Sequence, residues 1–358
     1  MEILSLKLQN YRNIIDTVFR FTPAGSLIHG RNGIGKTNLL EAIAYLAFGK
    51  SFQNSNDADL INFSKAFFRL EGRFRIGVKE HSIEAAAEKN RKIIKLDDSN
   101  IARISELFQF LKVVHFSPAD VNMIGGAPSF RRNFIDQALS QYSFQYISDL
   151  RRFNRILKQR NALLKQKFAA GEKRSWDKQF AQTGAAIITH RLQYLKEFIP
   201  ILIDYYDRIS GQREKLDIRY GFSFPRREEE IRIDLFCHLQ NTEEQEIHYE
   251  RSLCGPHLDD LEFTIDAHPA RNFASQGQKR SLSIAARLVQ ANLIKASSAE
   301  SPVLMFDDVL SDLDQNRARQ IIALLKGTHQ IFIATPNYRI YEEFGLSKID
   351  LDNFHENE

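Results

Sequence analysis

The chain has 358 residues, 49 Lys and Arg against 45 Asp and Glu, a formal net charge of +4 and 43% hydrophobic residues. That length supports a large core divided into two lobes. No apolar run approaches the span of a membrane helix. Met1–Leu8 alternates like a strand and lacks the apolar block of a secretion signal, and the two cysteines, Cys237 and Cys254, form neither a disulfide framework nor a metal spacing. These features give no sign of a disulfide-stapled secreted domain, and a reducing cytoplasm is the expected location.

In chain order, residues 3–9 and 18–21 read as two strands around the turn Gln9-Asn10-Tyr11-Arg12-Asn13, and Thr22-Pro23-Ala24-Gly25 then breaks the chain. Ser26-Leu27-Ile28 is a short apolar strand end. It leads into Gly30-Arg31-Asn32-Gly33-Ile34-Gly35-Lys36-Thr37, which matches the phosphate-binding pattern G-x-x-x-x-G-K-[ST] in full. Helical apolar spacing follows from Asn38. Glycines at 30, 33 and 35 let backbone N–H groups turn toward phosphate oxygens. The following helix adds the positive end of its dipole. Lys36 is placed for the β and γ phosphates and the Thr37 hydroxyl for Mg²⁺. The bland alternative is a glycine turn with a surface lysine, which the strand–loop–helix context disfavours.

Residues 67–77, 81–88 and 92–96 read as a meander of antiparallel strands, and Leu111–Phe116 as an apolar strand ending at Ser117-Pro118-Ala119-Asp120. Composition then changes. Residues 128 to about 210 are helical and rich in Arg, Lys and Gln. The run from Arg151 to Arg174 carries Arg151, Arg152, Arg155, Lys158, Arg160, Lys165, Lys167, Lys173 and Arg174 against the single acid Glu172. Gly171 marks a turn before a second long helix at 175–209, so the pair reads as an inserted helical hairpin. On composition alone the basic run reads as a solvated helix face. Asp217–Phe224 resumes strand character, and residues 226–246 are charged and mixed.

Ala274-Ser275-Gln276-Gly277-Gln278 opens another helix and forms a second anion-binding loop, or a simple helix cap at Ser275. Val303–Phe306 is a buried strand with Asp307 and Asp308 at its C-terminal edge, where open α/β sheets bind ligands. Asp307 suits Mg²⁺ and Asp308 an attacking water. Leu310-Ser311-Asp312-Leu313-Asp314 follows directly, and residues 330–335 form a last buried strand ending at Thr335. One nucleotide has no use for two triphosphate-binding ends. Two chains do, if each lends its Ser275 loop to the other's nucleotide.

This order of parts is similar to the ABC-type ATPase heads of chromosome-maintenance and DNA-repair proteins. Tyr11-Arg12-Asn13, the stretch from Pro118 to Asp136 with Phe130-Arg131-Arg132, and Gly255-Pro256-His257-Leu258-Asp259-Asp260-Leu261 narrow the resemblance, over essentially the whole chain, to the RecF family of bacterial DNA replication and repair proteins. The resemblance implies an α/β fold: an ABC-type ATPase head (1–120 and 213–358) with an antiparallel β subdomain and an inserted helical lobe (121–212). It implies a slow, DNA-stimulated ATPase that dimerises around ATP and Mg²⁺ on gapped DNA and single-strand/double-strand junctions. Such a protein acts with RecO and RecR to load RecA, without a membrane.

By this resemblance Arg12, Gly30–Asn38, Ser275, Gly277 and Gln278 contact nucleotide, and Ser275, Asp312 and Asp314 contact the second chain. Lys36, Asp307 and Asp308 are catalytic, and Thr37 and Asp307 hold the metal. The DNA-facing candidates are Arg151, Arg152, Arg155, Lys158, Arg160 and Lys165. Four positions depart from pattern. Pro118-Ala119-Asp120 replaces a glutamine loop, Thr335 a histidine, Asp308 a catalytic glutamate and Leu258 an arginine. These changes imply slow turnover and leave His257 as either a functional contact or a brace for its turn. The rival readings are a metabolic P-loop enzyme and a scaffold that binds ATP only to dimerise.

Overall fold

The computed structural model describes the chain apart from residues 54, 167, 222–226, 311–316, 318–319, 322–323, 326–328, 337–340, 342–344 and 353–358. The first half runs β1 (Glu2–Tyr11), β2 (Ile14–Arg20), β3 (Gly25–His29), α1 (Lys36–Phe48), β4 (Phe67–Ile76), β5 (Lys79–Glu88), β6 (Arg91–Leu96), β7 (Ser99–Asn100), α2 (Leu107–Phe110) and β8 (Val113–Phe116). Helices α3 (Val121–Gly125), α4 (Pro128–Tyr142), α5 (Phe144–Leu163) and α6 (Ala170–Ser210) follow, then β9 (Leu216–Tyr220), α7 (Glu228–Asn241) and α8 (Glu243–Tyr249). The chain continues through β10 (Leu261–Ile265), β11 (His268–Pro269), α9 (Ala270–Phe273), α10 (Gln276–Ser298), β12 (Val303–Asp307), β13 (Ile331–Ala334) and β14 (Ser347–Asp350).

Two compact units result. The first comprises Met1–Asp120, Arg208–Gly211 and Gln276–Glu358, and the second Val121–Asp207 and Gln212–Ser275. In the first unit, six strands form an antiparallel sheet in the order β2-β1-β4-β5-β6-β7, and five form a sheet in the order β14-β3-β13-β12-β8. Every pairing in the five-stranded sheet is parallel. Helix α1 shares one apolar core with strands of both sheets, and Leu39 to Ala47 are all buried. A helix hydrophobic on all sides belongs between two layers. Val303 and Met305 face that core, whereas the adjacent Phe306 turns away and stacks on Phe116 with centroids 4.1 Å apart. Because the five strands are parallel, their C-terminal ends share one edge, and the segments after them are gathered there.

The second unit holds α3–α9 and the three-stranded sheet β11-β10-β9. Helix α4 starts with Pro128 in its first turn, and Ser143 caps α5 through the Tyr146 N–H. Helix α6, with 41 residues, includes Gly171, so the expected turn there lies earlier, between Leu163 and Ala170. The expected boundary at 212 also moves: residues 212–275 cluster with the helical unit. The cause is pairing, since β9 pairs with β10 and Glu246 and Asp259 neutralise arginines of α5 and α6. The early turn is tighter than expected, because β1 runs to Tyr11 and β2 starts at Ile14. The segment 226–246 folds largely into α7 and α8, and β9 ends at Tyr220.

Candidate nucleotide-binding site

Phosphate-loop conformation follows from its glycines. Gly30, Gly33 and Gly35 have φ of +146°, +83° and +111°, a region costly for residues with a Cβ. A Cβ on Gly35 would lie 2.7 Å from the Asn13 amide oxygen. That amide braces the loop: Asn13 Nδ2 donates to the Ile34 carbonyl at 2.8 Å, and Asn38 Nδ2 donates to Asn13 Oδ1 at 2.7 Å. Lys36 Nζ donates to the carbonyls of Gly30 (2.7 Å) and Arg31 (3.0 Å). Burial lowers the Lys36 pKa, while the carboxylates of Asp308, Asp352 and Asp307 pull it back up. Asn32 and Gly33 are exposed.

The second half of the site arrives on β12. Thr37 Oγ1 donates to Asp307 Oδ1 at 2.9 Å across 270 residues of sequence. Burial raises the Asp307 pKa, with Asp308 adding to the rise and Thr37 and Lys36 opposing it. Asp308 is exposed and has φ +52°, uncommon for a side-chain-bearing residue, and its N–H donates to the Ala334 carbonyl at 2.9 Å. The chain therefore turns out of the strand at Asp308 rather than continuing through it. Thr37 and Asp307 together offer a hydroxyl and a carboxylate oxygen, a donor set that suits Mg²⁺ sharing its remaining positions with phosphate and water.

Arg12, at φ +53°, donates through Nε and Nη2 to the carboxylate of Glu41, at 2.9 and 3.1 Å. Glu41 is fully buried on α1 and also accepts from Ser51. Arg12 Nη1 donates to the Asp59 carbonyl. Arg12 is thus held by the core next to Asn13, the residue that braces the loop. Glu41 was not singled out from the sequence, because a glutamate among helical apolar residues reads as a solvated position.

The remaining strand ends explain the departures from pattern. Asp120 caps its own turn by accepting the Ser117 N–H at 2.8 Å, and its other oxygen accepts both Nε and Nη2 of Arg287 on α10, at 3.2 and 2.6 Å. Where a glutamine was expected, an ion pair thus fastens the loop after β8 to α10. Nearby His115 is pushed down to about 4 by burial. Thr335 is fully buried, and its N–H donates to the Ile28 carbonyl. Gln276 begins α10, and Ser275 and Gly277 are exposed. The Gly277 carbonyl accepts from Arg317, which also donates to Ser281. Gln278 lies in the first turn of α10, and Asp312 and Asp314 fall outside the described residues.

In the second unit, Arg151, Arg152, Arg155, Lys158 and Lys165 are exposed. Arg160 is not, which corrects its assignment to a DNA-facing surface. Its side chain is fully buried, donating to Asp177 at 2.8 Å and to Glu246 and Ser252. Lys173 from the same run is buried against Asp177 as well. A basic side chain loses its hydration there and is matched by acids, so it has no capacity left for phosphate.

The two signature stretches brace each other. Arg131 grips Asp260 with two bonds of 2.6 and 2.9 Å, Arg132 donates to the Asp259 carbonyl, and buried Arg191 joins Asp136, Asp259 and the Pro256 carbonyl. His257 lies beside Phe153 and Phe180, 3.4 Å from the Ser252 carbonyl through Nε2, and burial lowers its pKa to about 4.

Comparison with known proteins supports this architecture. Residues 2–349 match the model of the RecF/RecN/SMC N terminal domain. The DNA replication and repair protein RecF of Lachnoclostridium phytofermentans is 34% identical over 99% of this chain and 97% of its own length. RecF of Heliobacterium modesticaldum is 32% identical over 98% and 96%. Among solved structures, the recombination mediator protein RecF-ATP of the RecFOR pathway superposes with a TM-score of 0.87 at 32% identity, covering 94% of this chain and 92% of that one. The SmcHead bound to the C-winged helix domain of ScpA shares the fold, with a TM-score of 0.55 at 16% identity over 96% and 92%.

Proposed function

The chain belongs to the RecF family within the RecF/RecN/SMC class of ABC-type ATPase heads, and on that premise we propose that it is an ATP-dependent recombination mediator of the RecFOR pathway. It binds ATP and DNA, dimerises around two nucleotides, and works with RecO and RecR to load RecA on gapped DNA. The observation that carries the nucleotide part is the Thr37–Asp307 hydrogen bond. It unites the phosphate loop and the paired acids, which lie far apart in sequence, at one edge of a parallel sheet.

Lys36 leaves its two carbonyls to meet the β and γ phosphates, and the N-terminus of α1 faces the same charge. Thr37 and Asp307 would hold Mg²⁺, which would supply charge neutralisation to the triphosphate when bound. Asp308 orients a water for in-line attack on the γ phosphorus. The bond to the β–γ bridging oxygen breaks, ADP leaves, and the water's proton passes to phosphate or solvent. Ser275 and Gly277 of one chain complete the γ-phosphate site of the other. Phe273, two residues before Ser275, is 69% exposed, an apolar surface that a second chain would cover. On α5 the exposed basic side chains contact DNA phosphates without reading sequence.

Multiple-turnover phosphate release tests the reading. The wild-type chain should turn over slowly and accelerate with gapped DNA. Asp308→Asn should keep ATP affinity and lose at least about tenfold in single-turnover rate, as expected when a water-positioning group is removed. Asp308→Asn hydrolysing at the wild-type rate would remove that residue from the mechanism. A wild-type rate indifferent to gapped DNA would favour a metabolic P-loop enzyme, and no turnover at all a nucleotide-bound scaffold.

A further inference from the structure

Strand β14 ends beside the phosphate loop. It pairs in parallel with β3, with Asp350 opposite His29, and the Leu351 N–H donates to the His29 carbonyl at 3.0 Å. The next residue, Asp352, lies at the same sheet edge as the loop. Its carboxylate accepts from the Arg31 backbone N–H, at 3.1 and 3.4 Å to its two oxygens, and from Nε at 3.0 Å. The fit extends to the preceding glycine, where a Cβ on Gly30 would stand 3.4 Å from Asp352 Oδ2 and 3.5 Å from Leu351 Cβ. The Gly30 and Arg31 carbonyls, in turn, receive Lys36 Nζ. One residue from the far end of the sequence therefore grips Arg31, the second residue of the phosphate loop, and its charge also acts on Lys36.

We propose that Asp352 is a positioning residue for ATP: the end of β14 fixes the Gly30–Arg31 segment so that the loop is preorganised for the triphosphate. This rests on the nucleotide reading above. The Arg31 side chain is 77% exposed, and an exposed pair adds little to global stability. What the pair does is select one geometry for a loop whose glycines otherwise permit many. Arg31 cannot both hold this pose and fray into solvent, so loss of Asp352 should act on ATP binding and not on folding.

The test uses the full chain. ATP affinity, Michaelis parameters and melting temperature are measured for wild type, Asp352→Ala, Arg31→Ala and the double variant. The pair predicts an ATP affinity about fivefold weaker for Asp352→Ala, a smaller loss for Arg31→Ala, which keeps the backbone N–H bond, and a double variant weaker than Arg31→Ala alone. For Asp352→Ala, KM for ATP should rise while single-turnover hydrolysis at saturating ATP and the melting temperature stay unchanged. Affinity within twofold of wild type for Asp352→Ala would overturn the proposal. So would a fall in affinity accompanied by a lower melting temperature, since Asp352 would then merely dock its strand. Failure of the wild-type chain to bind ATP would sink the nucleotide reading itself, whatever the variants do.

Discussion

Arg151 and Arg160 come from one basic run on one helix, and their surroundings assign them opposite tasks. Arg151 is exposed, whereas Arg160 is fully buried among Asp177, Glu246 and Ser252. The sequence could not separate them, because the acids that claim Arg160 lie 17 and 86 residues away and nothing local announces them. Deleting one partner of a buried charge network leaves the others uncompensated, at a cost of about 3–5 kcal/mol. Arg160→Ala should therefore lower the urea midpoint strongly, whereas Arg151→Ala should stay within about 0.5 kcal/mol of wild type. Equal urea midpoints for the two variants would contradict the burial of Arg160. That Thr37 and Asp307 meet, by contrast, is legible in the sequence, since local spacing marks the loop and an apolar strand end marks the acid. Asn13, Glu41 and Asp352 were not assigned these roles, because each acts only through a distant contact.

Among the elements, α5 carries the DNA hypothesis. Arg151, Arg155 and Lys158 recur at intervals of four and three residues, which puts them on one face of the helix. Phe153 and Ile156, buried between them in sequence, mark the opposite, core-facing side. Each phosphate neutralised releases counterions, worth about 0.9 in the slope of log affinity against log salt on duplex DNA. Replacing all three by Gln should flatten that slope by about 2 to 3 without altering sequence preference. An unchanged slope would make the face a solvated surface. At this scale the reading of helices and strands was mostly sound, because apolar periodicity marks them. The turn placed at Gly171 was not, since a glycine in the first turn of α6 is tolerated once the rest of the helix is packed. Strand β14 carries no such signal: only Ile349 of its four residues is buried, so it bears little of the apolar pattern by which the central strands are recognised.

For the whole molecule, the order of parts was the informative signal, and the boundary between units was the error. Residues 213–275 were assigned with the ATPase half because the sequence returns to strand character there. Pairing of β9 with β10 and the arginine contacts of Glu246 and Asp259 place them with the helical unit. Ser275 is the last residue of that unit and Gln276 the first of α10 in the other.

Ser275→Arg separates a two-chain nucleotide site from a single-chain one. Ser275 is exposed, so a guanidinium can be accommodated without unfolding, yet it would fill the space needed by the partner's γ phosphate. Lys36 and Thr37 of the same chain are untouched, so ATP affinity should remain within about threefold of wild type, a shift of less than about 0.7 kcal/mol. The measurement is sedimentation at saturating ATP and Mg²⁺. Wild type should sediment as a dimer and Ser275→Arg as a monomer with ATP bound; a full dimer of Ser275→Arg would contradict the composite site.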